Sequence, residues 1–555
     1  MKKLITVFAI SLTLMVGCKK SELQILNPNS PTPDALSTQI GLEEFTLGVW
    51  TKTNSNNNII THSLVIHSIM GDEQWASVGN FGWRYVNQVN TITLPAAAPY
   101  NSIVIHNIFN TTQQLQLASL NNLVSANANA SDANVYEWSF YVVNGQANKL
   151  LSAIDANTVV SATEKTVMKA FAYFWKGLAY SRVGSMYISG IITNASDGST
   201  NGSYVTHDAI ITEANKNFDQ AIALLTPLSN TDATYTSTMK VINPPFCHYP
   251  TNAAMWIREM YTYEARNLMV NKKVTAMTAT DWGNVKTLAT KGLIAGDQPF
   301  DEGMDPAGKS DYSGTQGHVF EWGNWVGQPG WTFMSERFVQ DFKAGDNRFT
   351  NGVINLTNYT AQPTLTKTAA ADFYVNKDAR GVQFGTRWAA NLIEYGGYWA
   401  TNNFLGAVKF ACSYEENALM LAEANIRTGA IDPGLAFVDQ VRAAQGAGLA
   451  SVSGTGLDLP TAIEELRRER RIALYLRGLA FYDARRWGVT APASAGGGRA
   501  NAVVLVPNSV FAGTTASGYT VLNCYMDYNY MDYWDVPVTE VAYNAAAPGS
   551  AATAN

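Results

Sequence analysis

The chain has 555 residues, 11% of them aromatic and only 15% charged, with 38 Lys+Arg against 44 Asp+Glu. That length supports a core far above the minimum for independent folding, and a charged fraction below the roughly 25% of average soluble proteins shifts surface recognition to Asn, Thr, Ser, Gly and aromatic rings. A net charge of −6 disfavours phosphate tracking, so composition excludes nucleic-acid binding, intrinsic disorder and a multispan membrane protein.

At the N-terminus, Lys2 and Lys3 precede an apolar run from Leu4 to Val16. The run is too short to span a bilayer and has the length of a signal-peptide core. It ends at Met15-Val16-Gly17-Cys18, which resembles a bacterial lipoprotein box, with Met15 where Leu is usual. The expected organisation is a signal peptide over 1–17, a lipidated N-terminal arm over 18–35 starting at Cys18, and a single domain over 36–555. An ordinary secretory signal with an incidental cysteine is the alternative. Nothing further along is apolar for 18 residues, so acyl chains are the expected membrane attachment. Cys247, Cys412 and Cys524 are odd in number and widely spaced, and no disulfide framework or metal spacing follows from them.

Asn27-Pro-Asn-Ser-Pro-Thr-Pro33 reads as an extended arm, after which helical periodicity recurs. Over Thr163–Ser189, Ala170, Tyr173, Phe174, Gly177, Leu178 and Ser181 form a narrow stripe of small and aromatic side chains. Over Ile211–Leu228, Ala214, Phe218, Ala221 and Leu225 share one face. Asn252–Lys273, Asp281–Ile294, Tyr414–Arg427, Pro433–Gln445 and Pro460–Trp487 read as helices too. Long stretches rich in Gly, Asn, Thr and Ser at 190–208, 296–332 and 346–402 read as loops of the kind that carries function. Trp175-x2-Leu178-Ala179 and Ala214-x3-Phe218-x2-Ala221 resemble the two helices of a tetratricopeptide unit with a lengthened loop; generic helix pairing is the alternative.

Catalytic motifs are sparse. There is no Gly-x-Ser-x-Gly elbow, no P-loop and no strand-linked Gly-x-Gly-x-x-Gly. The six histidines are scattered, and His62 and His67 do not share metal-ligand spacing, so core or surface roles are expected. Asp297, Asp301, Glu302 and Asp305 lack the alternation of an EF-hand and read as a solvated loop rather than a Ca²⁺ site. Carboxylate pairs for glycoside hydrolysis sit roughly 5–10 Å apart in space, which a sequence does not display. No metal or cofactor is expected. Two aromatic clusters stand out instead: Trp75, Phe81, Trp83 and Tyr85 within 71–85, and Trp322, Trp325 and Trp331 within 321–331. Both segments are Gly-rich and aperiodic, so their rings are candidates to stack on sugar faces, with Asp72, Arg84, Glu321 and Asn324 beside them to hydrogen-bond hydroxyls. A core role is the competing reading for any one of these tryptophans, and the expected one for helix-borne Trp175, Trp256, Trp282 and Trp487.

The last quarter carries the strongest resemblance. Tyr414-Glu-Glu-Asn-Ala-Leu-Met-Leu-Ala-Glu-Ala-Asn-Ile-Arg-Thr-Gly429, Leu435–Gly446 and Ile463–Gly488 are similar in order and pattern to three successive helices of the SusD/RagB family, with Glu469, Arg470, Gly478, Asp483, Arg486 and Trp487 on family positions. Trp534-Asp-Val-Pro-Val-Thr-Glu-Val-Ala-Tyr-Asn544 resembles the family's terminus, and 27–33 and 170–184 resemble its early segments. Ala473 and Arg477 stand where members often have Glu, and Ala480 where they have Arg or His, which suggests a rewired ion-pair network. Glu469, Arg470, Asp483 and Arg486 are expected to make charged contacts within and between helices, and Gly478 to mark a bend or close helix approach.

The resemblance implies a mainly α fold: a tetratricopeptide-like helical-pair superhelix with long loop insertions and a few short β-strands. It implies a cell-surface lipoprotein of the outer membrane that binds a glycan or oligosaccharide, without catalysis, and delivers it to a SusC-like TonB-dependent transporter as part of nutrient uptake. The ligand-binding residues would be Trp75, Trp83, Tyr85, Asp72, Arg84, Trp322, Asn324, Trp325 and Trp331, with Cys18 lipidated. Three alternatives stay open: the same scaffold binding peptides, a lipid-anchored α-helical glycoside hydrolase, and a purely structural envelope lipoprotein.

Overall fold

In the computed structural model, residues 33–55, 59–76, 86, 89–96, 101–106, 136–243, 248–302, 332–355, 386–390, 408–409, 411–512 and 519–555 are described. The signal segment, Cys18 and most of the arm lie outside them. The helices are α1 (Gln39–Ser55), α2 (Ile59–Met70), α3 (Phe140–Ala156), α4 (Ala162–Met186), α5 (His207–Leu225), α6 (Ala233–Ile242), α7 (Ala253–Val270), α8 (Ala279–Thr290), α9 (Glu336–Val339), α10 (Asn347–Gly352), α11 (Tyr414–Arg427), α12 (Ile431–Ala444), α13 (Leu459–Ala473), α14 (Ala480–Arg486), α15 (Ser509–Ala512) and α16 (Val538–Tyr543). Successive helices pack as hairpins, α3 on α4, α4 on α5, α7 on α8 and α11 on α12, while α5–α7 and α8–α11 contacts join one pair to the next. This is a mainly helical, tetratricopeptide-like scaffold.

The predicted stripe explains the tightest of these pairings. A Cβ placed on Gly177 would sit 2.5 Å from Cε1 of Phe218, so the bare backbone of α4 is what lets the α5 ring lie against it. Around this contact the core is aromatic. The Trp50 and Trp175 rings meet edge-on at 5.2 Å, and Phe174 stacks on Phe300 at 4.9 Å. Trp175, Trp256 and Trp282 are buried as expected, whereas Trp487 is half-buried with its Nε1 donating to Glu423 at 3.2 Å. The start of α4 is set by a capping box in which Ser161 accepts from the Glu164 amide and Glu164 accepts from the Ser161 amide. Ser161→Ala is expected to lower stability by about 1 kcal/mol, read as a shift of the urea midpoint with unchanged slope.

The span 460–487, which reads as one helix, is two. α13 ends at Ala473 and α14 begins at Ala480, with Leu476 at φ 60° and Gly478 at φ 69° between them. Periodicity continues across the break because both halves bury a face. Gly478 supplies the left-handed turn and the close approach, since a Cβ there would lie 3.0 Å from Leu64 Cδ2 and from Arg182 Nη1. The turn swings Asp483 and Arg486 back onto α13 and α11. Arg470 donates from Nε to Asp483 at 3.0 Å, Arg486 donates to Asp483 at 2.7 Å and to both oxygens of Glu423 at 2.9 and 2.6 Å, and Glu469 takes Arg348 at 2.6 Å and Arg442 at 2.8 Å. All of these side chains are buried.

The strands assemble as β1 (Gln74–Ala76), β7 (Thr332–Met334), β9 (Trp388–Ala390) and β8 (Val353–Asn355) in one sheet; β11 (Arg499–Pro507), β12 (Tyr519–Asp527), β2 (Thr91–Leu94) and β3 (Ile103–His106) in a second; and the pairs β4 (Ser189–Ile191)–β5 (Tyr204–Thr206) and β10 (Val408–Lys409)–β6 (Asp301–Glu302). β4 and β5 arise inside a segment that reads as loop.

Candidate functional site

The two tryptophan-bearing segments are far apart in sequence, yet one ladder joins their roots. β1 and β7 pair antiparallel, with Gln74 opposite Met334, Trp75 opposite Phe333 and Ala76 opposite Thr332. Because Ala76 and Thr332 form the last pair, the chain running on to Trp83, Arg84 and Tyr85 leaves from the same end at which the chain carrying Trp322, Asn324, Trp325 and Trp331 arrives. Those seven residues lie outside the described residues, and Trp75 is described by its backbone alone.

Asp72 is a correction. Read from sequence as a hydrogen-bonding neighbour of the rings, it is buried at φ 55°, and its carboxylate is engaged internally. Arg337 grips it with Nε at 2.9 Å and Nη2 at 2.6 Å, and the Tyr528 hydroxyl donates to Oδ2 at 2.8 Å. Burial alone would raise its pKa, but the Arg337 guanidinium outweighs that and holds it below the usual carboxylate value. Asp72 therefore anchors the turn into β1 to α9 and the end of β12, its carboxylate committed to Arg337 and Tyr528.

The same sheet contains a tryptophan that periodicity could not single out. Trp388 of β9 lies opposite Met334 and Asn355, half-buried, with its Nε1 donating to Glu336 at 3.1 Å and its ring edge-on to Phe349 at 5.5 Å. Arg387 forks onto Glu336 at 2.9 and 2.8 Å and lies 5.4 Å from the indole centroid. The available signal was an Arg-Trp pair in a polar stretch; what it lacked was any sign that 386–390 forms a strand beside β7.

The acidic run also departs from expectation. Asp297 accepts from Arg258 Nε at 2.7 Å and from the Ile294 amide at 2.9 Å, and Asp301 accepts from His248 Nδ1 at 2.8 Å. Both carboxylates are 3% exposed, so they are internal partners and not part of a solvated loop, because Arg258 and His248 reach them from neighbouring segments. Side chains of Glu302 and Asp305 lie outside the described residues. His67 is a core histidine 3.2 Å from Glu137; desolvation lowers its pKa despite that neighbour. Among the described residues no group of three or more His, Cys, Asp or Glu is placed to hold a metal, and no helix is long and apolar enough to cross a membrane.

With a helical-pair scaffold carrying inserted strands, the chain has the SusD-like fold. It aligns with a SusD-like carbohydrate binding protein of Bacteroides fragilis at a TM-score of 0.56, 12% identity, and coverage of 92% of this chain and 99% of that one. It aligns with surface glycan-binding protein A of Bacteroides thetaiotaomicron at 0.54 and 13%, covering 92% and 98%. A SusD-like carbohydrate binding protein of Bacteroides vulgatus aligns at 0.53 and 12%, covering 91% and 96%. No family model matches the sequence, and no curated protein does.

Proposed function

We propose that the protein is a cell-surface lipoprotein, anchored in the outer membrane through Cys18, that binds a glycan and delivers it to a SusC-like TonB-dependent transporter without chemical turnover. The observation that carries this reading is the β1–β7 ladder, which roots two aromatic, Gly-rich segments at one strand end. Trp75, Trp83, Tyr85, Trp322, Trp325 and Trp331 then supply stacking faces, while Arg84 and Asn324 supply hydrogen bonds. The fold is that of proteins described as carbohydrate binding, which supports a sugar over other ligands of similar size.

Calorimetric titration of the soluble chain, lacking 1–18, against a glycan panel tests the site. Trp325→Ala and Trp75→Ala are each expected to weaken the glycan that binds best by about tenfold or more, the loss typical of a stacked aromatic anchor. Undiminished binding by both variants removes this site assignment. Binding of peptides in place of glycans supports the peptide reading, and release of shortened sugars overturns the absence of turnover. Co-purification of the full-length protein from its native membrane with a TonB-dependent barrel tests the delivery step.

A further inference from the structure

A cavity of about 220 Å³ opens where α13, the first residues of β11 and the turn before β1 meet. Three guanidiniums line it, Arg467 and Arg471 from α13 and Arg499 from β11, and all three converge on Asp341, whose side chain is 1% exposed. Their engagement is unequal. Arg471 engages all three nitrogens: Nε donates to Asp341 at 2.7 Å, Nη1 to the Gly71 carbonyl at 2.8 Å and Nη2 to the Asp72 carbonyl at 3.0 Å. Arg467 divides its donors between Asp341 at 2.7 Å and Glu464 at 2.7 and 2.8 Å. Arg499 gives Nη2 alone to Asp341, at 3.0 and 3.1 Å, and its Nε and Nη1 meet no hydrogen-bond partner among the described residues, on a side chain only 14% exposed.

Nearby acids do not restore the balance. Asp72, which also lines the cavity, is neutralised by Arg337, and Glu464 is 45% exposed and shared with Arg468. Glu73 is buried, and desolvation pushes it up to about 8, so it is mostly uncharged at neutral pH. Three cations thus face one buried carboxylate, and Arg499 bears the consequence: burial, with the adjacent Arg471 and Arg467, pulls its pKa down in spite of Asp341. With Nη2 on Asp341, the Nε and Nη1 groups of Arg499 lie on different edges of its guanidinium, and each offers one charge-assisted hydrogen bond to an oxyanion in this low-dielectric cavity.

We propose that this cavity binds an oxyanion, the carboxylate or sulfate of an acidic ligand group, with Arg499 as its principal donor. Trp487 and Tyr528 form part of the wall, and the volume suits a single ionic group or acidic monosaccharide rather than an oligosaccharide. No ring from 75–85 or 321–331 is needed, so the site stands whether or not the aromatic segments bind a glycan.

Thermal unfolding and calorimetry of the soluble chain with sodium sulfate, galacturonate and galactose, at ionic strength matched with sodium chloride, test this. Sulfate, galacturonate or both are expected to raise Tm saturably, by a few degrees at a hundredfold excess over Kd, and galactose to leave it unmoved. Which anion acts tells a sulfate from a carboxylate site. Arg499→Gln is expected to weaken the anion at least tenfold, with Asp341 still held by Arg467 and Arg471. Ala500→Glu, at an exposed position of the cavity wall, supplies a tethered carboxylate, so it is expected to raise Tm without anion and to abolish the anion-induced rise. Absence of any sulfate or galacturonate response, an equal response to galactose, or an unaltered anion response in either variant overturns the proposal.

Discussion

Glu423→Gln is expected to remove about 3–5 kcal/mol of stability, the largest loss of any single polar substitution considered, because it breaks a buried ion pair from one side. The Glu423 side chain is fully buried on α11, and both its oxygens accept from Arg486 of α14, with Trp487 Nε1 at 3.2 Å. A glutamine keeps the shape and one acceptor but removes the charge and turns an NH2 toward Arg486, whose guanidinium then has Asp483, already shared with Arg470, as its counter-ion. Urea unfolding measures the effect. Arg427→Gln is the control: Arg427 reaches the same carboxylate at 3.5 Å from a partly exposed position, and its removal is expected to cost less than 1 kcal/mol.

The same carboxylate makes stability depend on acid. Burial alone would raise its pKa, but Arg486 overrides that, with Arg470 and Arg427 adding to it, and brings Glu423 down to about 2 in the folded protein. A carboxylate with a lower pKa folded than unfolded binds fewer protons in the native state. Its contribution is therefore complete above the unfolded value near 4.5 and is lost as pH falls from there toward 2. Unfolding midpoints measured across that window are expected to fall more steeply for the wild type than for Glu423→Gln. Equal slopes would show that Glu423 does not carry this dependence.

Gly177→Leu is the second large effect, about 3 kcal/mol, at the upper end of the range for overpacking a core. The Cβ alone would lie 2.5, 2.6 and 2.9 Å from three carbons of the Phe218 ring, so α4 and α5 must separate or the ring must leave its place. Gly145 of α3 provides the contrast, because a Cβ there meets nothing within 4 Å. Gly145→Ala is expected to be neutral or to stabilise by up to about 1 kcal/mol through helix propensity. Smaller coupled changes identify the cause: Gly177→Ala with Phe218→Leu is expected to cost less than the sum of the two single substitutions. Additivity would mean that the ring is not what requires the glycine.

These expectations show how unevenly the molecule was legible. The faces of α4 and α5 and the start and end of α11 follow from local rules of periodicity and capping, whereas Gly478, expected to bend or closely pack one helix, lies in a turn between two. The charged residues of α13 and α14 were recognisable as an interhelical set, yet a one-dimensional pattern contains neither Arg348 as a partner of Glu469 nor Glu423 as the partner of Arg486. Asp72 shows the reverse. Its neighbours in sequence are aromatic and Gly-rich, but its neighbours in space are Arg337 and Tyr528, 265 and 456 residues away along the chain.

What the sequence determined by itself is part of the helical scaffold, α4, α5, α7, α8, α11 and α12, whose buried faces are spaced locally, whereas α1, α2, α3 and α6 were not read from it and α13 and α14 were read as one helix. It also named the two aromatic segments as the unusual feature of the loops. Only the tertiary structure decided that β1 and β7 root both segments at one strand end, that Trp388 lies in the same sheet, and that Arg467, Arg471 and Arg499 surround a single Asp341. The reason is the range of the interactions. Helix hydrogen bonds and capping close within four residues, whereas strand pairing and buried charge compensation are settled between segments hundreds of residues apart, where the competition between desolvation and Coulomb attraction depends on what else is packed nearby.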